Sequence, residues 1–240
     1  EYLETLECKV IYQEPNVGFG PGNNIGAKSA NGKILCFLNN DTEVTDGWLE
    51  PAIKDFEDKN VGIVGVKLLF PNMTIQHAGI ALKQQTGFYA THPHIEILPE
   101  TPIVSIRKEM LAVTGACLFI RKDIFNQLNG FDPIYKIGYY EDADICLRVR
   151  EEGYKVIYEP DTVVIHKTGQ TFKTYGELKQ LSFFVDNEKE FRSRWDRKIA
   201  NNLYMFTSKH NYEPDKKNIA ILNSYMETYG GGEKLSGYIA

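Results

Sequence analysis

The sequence predicts an α/β domain with a mostly parallel central sheet flanked by helices. Three observations favour this class. Short apolar runs rich in β-branched residues alternate with amphipathic segments, as they do in β-α-β units. Polar residues and glycines follow the ends of several apolar runs, which is where open sheets bind ligands. Of the 240 residues, 42% are hydrophobic and 25% are charged, which is ordinary for a globular domain with a sizeable core.

The predicted elements follow one another regularly along the chain. Apolar runs bounded by turn residues predict strands at 10–12, 33–38, 61–70, 75–82, 115–120, 155–158 and 162–165. Helical periodicity predicts helices at 24–30, 47–58, 122–128, 142–152 and 177–202. Residues 84–105 show no clear period and are expected to form a loop excursion. The order of the first strands and helices is what favours a parallel sheet.

The last part of the chain changes character. Residues 211–217 are polar and contain a proline, and a short apolar run at 218–222 precedes a glycine loop. These features predict one domain over residues 1–210, a linker over 211–217, and the start of a second α/β domain over 218–240. So short a final segment could not bury its own apolar face.

Composition and charge exclude several classes of protein. The net charge of −5 does not suit a nucleic-acid binder. No apolar run approaches the ~20 residues that span a membrane, and the acidic start does not resemble a signal peptide. Four cysteines without C-x-x-C spacing indicate buried free thiols in a reducing, cytoplasmic setting. A basic helix face could touch anionic lipid at the inner side of a membrane, although a solvated face is the favoured interpretation; its residues are Arg192, Arg194, Arg197 and Lys198.

Four segments could carry chemistry, and each has a plain structural alternative. The glycine-rich loop at 16–26 lacks G-x-G-x-x-G spacing; it could approach a ligand or simply begin a helix. Asp41 follows the best strand and could hold a divalent metal or start a turn. The acidic run at 141–144 could supply a general base or complement a helix dipole. His166, after the last strand, could be a metal ligand or a structural group.

Taken in order, these segments resemble the family-2 glycosyltransferases, particularly the rhamnosyltransferase-like members. The matching stretches are NVGFGPGNNIGAKSANGKILCFLNNDTEV, VTGACLFIRKDIF, GFDPIYKIGYYEDADICLRVREEGYKVIYEP and HKTGQT. They cover roughly residues 8–205. The resemblance implies the GT-A fold, with a nucleotide-binding half and an acceptor half.

The resemblance also implies roles for particular residues. Those near the donor sugar nucleotide would be Asn23, Asn24, Asn39, Asp41, Gly115 and Ala116. Asn39 stands where the family's D-x-D motif has its first aspartate, which weakens a ribose contact more than metal binding. Asp41 and His166 would hold Mg²⁺ or Mn²⁺. Asp142 would be the catalytic base, with Glu141 beside it in the acceptor site.

The implied reaction is an inverting transfer, in the EC 2.4 class, of a hexosyl or rhamnosyl group. The donor would be a nucleoside-diphosphate sugar, and the acceptor a glycan or a lipid-linked glycan of a cell-envelope polysaccharide. Family members normally begin with a βα unit that is not recognisable here, so the domain is expected to lack it. Residues 218–240, with a glycine loop at 230–233, weakly resemble the start of a GT-B glycosyltransferase domain.

Two other functions compete with this interpretation. A degenerate transferase domain could bind a nucleotide sugar or a glycan without catalysis; Asn39 favours that reading, and the presence of Asp41, Asp142 and His166 disfavours it. A nucleotidyltransferase on a similar scaffold would release pyrophosphate. Turnover of a nucleotide sugar without pyrophosphate release would separate the three.

Overall fold

A computed structural model describes residues 9–84, 88–167 and 177–201. The predicted class is confirmed: a central sheet is flanked by helices. The helices are α1 (Phe19–Ser29), α2 (Leu49–Lys54), α3 (Lys122–Gln127), α4 (Glu141–Glu151) and α5 (Glu177–Asn201). The strands are β1 (Ile34–Leu38), β2 (Thr42–Val44), β3 (Val61–Leu69), β4 (Ile75–His77), β5 (Ala81–Gln84), β6 (Phe88–Thr91), β7 (Lys108–Glu109), β8 (Cys117–Arg121) and β9 (Lys155–His166).

Seven of these strands form one mixed sheet. Its order is β1-β8-β3-β9-β2, with β4 beside β3 and β7 beside β9. The expectation of a mostly parallel sheet is wrong for the described residues, in which β3 and β9 are the one parallel pair. The reason is that β8 enters antiparallel between β1 and β3. β1, β3 and β9 still run in the same direction, as the β-α-β order predicts.

Several predicted elements differ in extent. Residues 10–12 form no strand, and Ile11 and Tyr12 are exposed. The predicted strand at 75–82 is two strands, β4 and β5, and β5 pairs with β6 inside the predicted loop. The two strands predicted at 155–158 and 162–165 are one strand, β9, whose pairing to β3 shifts between Val66 and Lys67. The predicted linker and second domain lie outside the described residues.

The sheet separates two apolar layers. Every residue of β3 is buried, and consecutive residues point to opposite faces. Ile63 belongs to the layer under α3, α4 and α5, whereas Val64 belongs to the layer under α2. α5 contributes Phe191, Trp195 and Ile199 to the first layer, at the four-residue spacing of one helix face. α5 is thereby fixed against α4.

The cysteines match the prediction only in part. Cys36, Cys117 and Cys146 are free thiols, and the last two are buried. Cys36 is exposed, because alternate residues of a strand face opposite sides of the sheet and the neighbours Leu35 and Phe37 occupy the buried side. Cys8 lies outside the described residues. None of the described helices is long and apolar enough to cross a membrane.

Candidate active site

Asp41 and His166 meet at neighbouring strand ends. β1 ends at Leu38, and Asp41 directly precedes β2, whose first residue Thr42 is paired with His166 of β9. The Oδ1 of Asp41 lies 3.0 Å from Nε2 of His166, and both side chains are about nine-tenths buried, at 10% and 11% exposed. The backbone N–H of Lys167 also donates to the carbonyl oxygen of Asp41 at 2.9 Å. Two residues 125 positions apart in the sequence are thus held in direct contact.

Gln76 of β4 fixes the orientation of His166. The Nε2 of Gln76 donates to the backbone oxygen of His166 at 3.0 Å, which leaves Oε1 of Gln76 to accept from Nδ1 of His166 at 2.7 Å. The proton of a neutral His166 is therefore on Nδ1, and the Nε2 lone pair faces the carboxylate of Asp41. Two acceptors at 3.0 Å need a proton or a cation between them.

These two side chains fit a divalent metal. Two neighbouring ligands of an octahedral ion, each at about 2.1 Å, lie about 3.0 Å apart. Among the described residues, no group of three or more His, Cys, Asp or Glu side chains could hold a metal ion. The described residues would thus supply one carboxylate and one imidazole. Few protein ligands are usual where the remaining ones come from water and a substrate diphosphate.

Asn39 lies beside this pair and is anchored to the 114–116 segment. Its backbone N–H donates to the carbonyl oxygen of Ala116 at 3.0 Å, and its own carbonyl oxygen accepts from Oγ1 of Thr42 at 2.6 Å. The side-chain Nδ2 of Asn39 is 3.4 Å from Nε2 of His166. Asn39, Asp41 and His166 therefore lie together in one cluster.

The same segment holds Asp142, the second residue of α4. The backbone N–H of Gly115 donates to Oδ2 of Asp142 at 2.9 Å, and the N–H of Ala143 donates to Oδ1 at 2.8 Å. A carboxylate in the first turn of a helix is also favoured by the helix dipole. Both oxygens are thus held in a fixed direction by backbone N–H groups. Gly115 and Ala116 thus connect the base candidate to the metal-ligand candidates.

The backbone before α4 is strained and is held from two sides. Ile137, Tyr139 and Tyr140 all have φ between 64° and 78°, a conformation that non-glycine residues rarely adopt. On one side, the N–H of Phe19 donates to the carbonyl oxygen of Ile137 at 2.7 Å. On the other side, Asn187 of α5 makes four hydrogen bonds of 2.7–3.2 Å to the backbone of residues 136–139.

Glu141 is buried, and the two asparagines of α1 make hydrogen bonds within the protein. The Oε2 of Glu141 has no hydrogen-bond partner among the described residues. Burial, and then the charge of Asp142, raise the pKa of Glu141 well above its usual range. Asn24 exchanges two hydrogen bonds with the backbone of Phe131, at 2.8 and 2.9 Å. Asn23 donates to the carbonyl oxygen of Phe19 at 3.0 Å, within the helix.

Asp144, to which the sequence assigned no role, is the most strongly bonded carboxylate of α4. It is fully buried. Its hydrogen-bond donors are Tyr135 at 3.1 Å, Arg148 at 2.7 Å, Arg194 at 2.8 Å and Trp195 at 2.9 Å. Arg194 is therefore part of this cluster and not of a free basic face. Arg192 and Lys198 also pair with carboxylates, which reduces the positive charge that this face presents.

Comparison with known proteins decides the family. The chain matches the family described as Glycosyl transferase family 2 over residues 1–128. This chain belongs to glycosyl transferase family 2. It is 40% identical over 173 residues to the O-antigen biosynthesis protein RfbC of Myxococcus xanthus, a match that covers 69% of this chain and 13% of that protein. It is 24% identical over 160 residues to the pre-mycofactocin glycosyltransferase of Mycobacterium tuberculosis, covering 67% of this chain and 32% of the other.

Solved structures support the GT-A-like fold of this family-2 chain. GalNAc-T7 with UDP, GalNAc and Mn²⁺ superposes with a TM-score of 0.54 at 19% identity, covering 67% of this chain and 32% of that one. The mannosyltransferase PcManGT of Pyrobaculum calidifontis, in complex with GDP-Man and Mn²⁺, superposes with a TM-score of 0.51 at 14% identity, covering 82% and 52%. The chain thus spans about half or less of the length of these relatives.

Proposed function

We propose that this family-2 chain transfers a sugar, with inversion, from a nucleoside-diphosphate sugar to a hydroxyl group of a glycan or lipid-linked glycan. One observation carries the proposal. The 114–116 segment binds both the carboxylate of Asp142, through the N–H of Gly115, and the backbone of Asn39 beside the Asp41–His166 pair. A base candidate and the turn that leads into Asp41 are thus bonded to adjacent residues, Gly115 and Ala116.

In this proposal, Asp142 accepts the proton of the acceptor hydroxyl as its oxygen attacks the anomeric carbon. The direction of the carboxylate is set by two backbone N–H groups, so little reorganisation is needed when the hydroxyl binds. The anomeric carbon–oxygen bond to the nucleoside diphosphate breaks as the new bond forms, which inverts the configuration. No nucleophilic side chain is required.

The donor would lie along the Asn39–Asp41 turn. A divalent cation, Mg²⁺ or Mn²⁺, would be held by Asp41 and His166 and would supply electrostatic stabilisation of the leaving diphosphate. Asn39 would lie near the ribose or diphosphate, and Gly115 and Ala116 would line the junction with the acceptor.

The other assigned residues would support the two substrate sites. Asn23 and Asn24 would lie near the nucleotide; the contacts of Asn24 indicate that it acts by bracing the turn at Phe131. Glu141 would belong to the acceptor site, which its unpartnered oxygen supports. The relatives that bind UDP, GDP-Man and Mn²⁺ and the O-antigen relative favour this chemistry. We further propose that it serves polysaccharide synthesis in the cytoplasm, at the inner face of a membrane.

Calorimetry with UDP-sugars and dTDP-sugars, in Mn²⁺ or in EDTA, tests the donor half of the proposal. We expect binding only with metal, and we expect Asp41→Ala to abolish it. Asp46→Ala, which alters an exposed carboxylate five residues further on, should bind as the unsubstituted protein does. Metal-independent binding that survives Asp41→Ala would contradict the assignment.

Asp142→Asn tests the catalytic half. This variant keeps the shape of the side chain and should keep donor affinity within about twofold, while transfer falls by at least about a hundredfold, the lower range of general-base contributions. Donor binding without any turnover in the unsubstituted protein would instead support a non-catalytic binding module. Release of pyrophosphate would indicate a nucleotidyltransferase.

A further inference from the structure

Two histidines outside the assigned site are joined ring to ring next to Asp142. His77 ends β4 and is almost fully buried; His92 directly follows β6 and is exposed. Their Nδ1 atoms lie 3.0 Å apart, and the rings meet edge to face with centroids 5.1 Å apart. His77 is a buried polar residue outside the apolar clusters of the fold, and buried polar groups need hydrogen-bond partners.

The hydrogen bonds of His77 determine the protonation of both rings. The N–H groups of Gly79 and Thr114 point at Nε2 of His77, at 3.2 and 3.3 Å. Nε2 must therefore carry the lone pair and Nδ1 the proton. That proton is donated to Nδ1 of His92, so a neutral His92 carries its own proton on Nε2. The pair presents one N–H donor, Nε2–H of His92.

The pair also keeps His92 neutral. A doubly protonated His92 would turn its Nδ1–H against the Nδ1–H of His77, two donors at 3.0 Å. Burial, and then the neighbouring His92, lower the pKa of His77 well below its usual value. Partial burial lowers the pKa of His92, although part of the ring is exposed, and the charge of Asp142 acts in the opposite direction. His92 therefore offers a donor without a charge.

Consecutive residues place the pair beside the base candidate. Thr114 contacts His77, Gly115 contacts Asp142, and Ala116 contacts Asn39 of the metal side. Along this segment, Asp142 lies between the metal-ligand candidates and the histidine pair. The histidine pair and Asp142 are thus bonded to adjacent residues, Thr114 and Gly115, and the charge of Asp142 reaches His92.

We propose that His92 is an acceptor-binding residue, whose Nε2–H donates to a hydroxyl of the acceptor sugar, and that His77 positions it. A fixed neutral donor next to a carboxylate complements two neighbouring hydroxyl groups of a sugar. One hydroxyl donates to Asp142 and the adjacent hydroxyl accepts from His92. A diphosphate, by contrast, would be bound better by a cation. This inference rests on the proposed transfer function.

Two variants of His92 distinguish the roles of its two ring nitrogens. In His92→Gln, the amide nitrogen stands near Nε2 and keeps a donor toward the acceptor. In His92→Asn, the shorter amide stands near Nδ1; it keeps a partner for His77 and loses the outward donor. Transfer to p-nitrophenyl glucoside, galactoside, N-acetylglucosaminide, mannoside and rhamnoside, with a UDP-sugar or dTDP-sugar as donor, provides the measurement.

We expect His92→Asn to raise the KM for the glycoside about three- to tenfold over that of His92→Gln, which is the effect of one neutral hydrogen bond. The KM for the donor and the rate of donor hydrolysis should stay within about twofold. Equal acceptor KM values in the two variants and the unsubstituted protein would overturn the inference alone. No donor binding by the unsubstituted protein would overturn the proposed function as well.

The ring protonation can be tested without any acceptor. Long-range proton–nitrogen NMR spectra of the imidazoles at pH 7 should show His77 protonated on Nδ1 and His92 protonated on Nε2, both neutral. Adding a glycoside that is an acceptor should shift the Nε2–H signal of His92 and leave the Nδ1–H signal of His77 in place. A charged His92, or a proton on its Nδ1, would refute the assignment of the donor even if transfer activity is intact.

Discussion

Asn187 should control both the stability of the fold and the position of Asp142. It is buried on α5, and it bonds the N–H of Lys136 and the carbonyl oxygens of Lys136, Gly138 and Tyr139. These atoms belong to the turn in which Ile137 and Tyr139 have positive φ. Asn187→Ala would leave four backbone groups without this partner and would release the strained turn.

The size of the effect follows from the contacts. Each intramolecular hydrogen bond contributes about 1 kcal/mol net, so four give at most about 4 kcal/mol. Water can reach part of the relaxed turn, which reduces the loss to about 3 kcal/mol. For a chain of this size, 1 kcal/mol corresponds to about 2–4 °C in Tm, so Tm should fall by about 6–12 °C.

Urea unfolding and thermal melts measure this loss, and two further variants make the test specific. Asp186→Ala changes the preceding, exposed residue of α5 and should alter the free energy of unfolding by less than about 0.5 kcal/mol. Asn187→Asp keeps the shape but turns a carboxylate toward three carbonyl oxygens. The pKa of the new carboxyl group in the folded protein should rise above the ordinary ~3.9. The free energy of unfolding of Asn187→Asp should therefore fall further below that of the unsubstituted protein as the pH increases from about 4 to 7.

Activity provides the second readout for Asn187. Release of the turn should displace Asp142, so Asn187→Ala should lower the rate of transfer more than it lowers donor binding. The reasoning is refuted if Asn187→Ala is as stable as Asp186→Ala, because the four hydrogen bonds would then contribute nothing. It is also refuted if Asn187→Asp is insensitive to pH.

Two other substitutions test the surroundings of Asp142. Gly115→Ala places a methyl group 2.8 Å from Cζ of Phe19 and 3.4 Å from Cβ of Asp142. The rate of transfer should therefore fall at least about tenfold, the scale of a misplaced catalytic group. Gly26→Ala is the control, because its added carbon meets nothing within 4 Å, and its rate of transfer should be unchanged. Glu141→Gln should become more stable relative to the unsubstituted protein as the pH rises above about 4.3. Because the pKa of Glu141 is raised in the folded protein, the stability that its protonated form contributes is lost as the pH increases, and glutamine has no such loss. Urea unfolding at pH 5 and pH 8 measures the difference in stability between the two proteins, and an equal difference at both pH values would contradict this expectation.

The residues whose proximity could be anticipated from the sequence are those marked by local patterns. Asp41 and His166 both follow strong apolar runs, and residues at strand ends collect at one edge of a sheet. The structure joins them at 3.0 Å. Asp142 begins a helix whose acidic first turn is visible in the sequence. In each case the chemistry and the element boundary occur together within a few residues.

The missed residues act through partners far away in the chain. Gln76 bonds to His166, 90 residues later, and Asn187 bonds to a turn about 50 residues earlier. The sequence carries one local signal for Gln76 and His77, which is that they are adjacent polar residues in a predicted apolar strand. Buried polar groups need hydrogen-bond partners, but the sequence does not show where in the chain those partners are. Antiparallel insertion of β8 was missed for a related reason: alternation predicts a strand but does not specify its neighbour.

Buried polar residues around the candidate site hold its side chains in position. As the proposed base, Asp142 would need a carboxylate in a defined direction, and α4 alone fixes only its position along the helix. The direction is set by Gly115, whose own segment is tied to β4 through His77 and to the Asn39 turn through Ala116. Each of these ties uses a backbone group of residues 114–116, which a side-chain substitution cannot remove. Variation in acceptor preference is therefore expected to arise at exposed positions such as His92, while the geometry between the proposed base and the proposed metal-ligand pair is maintained by the backbone.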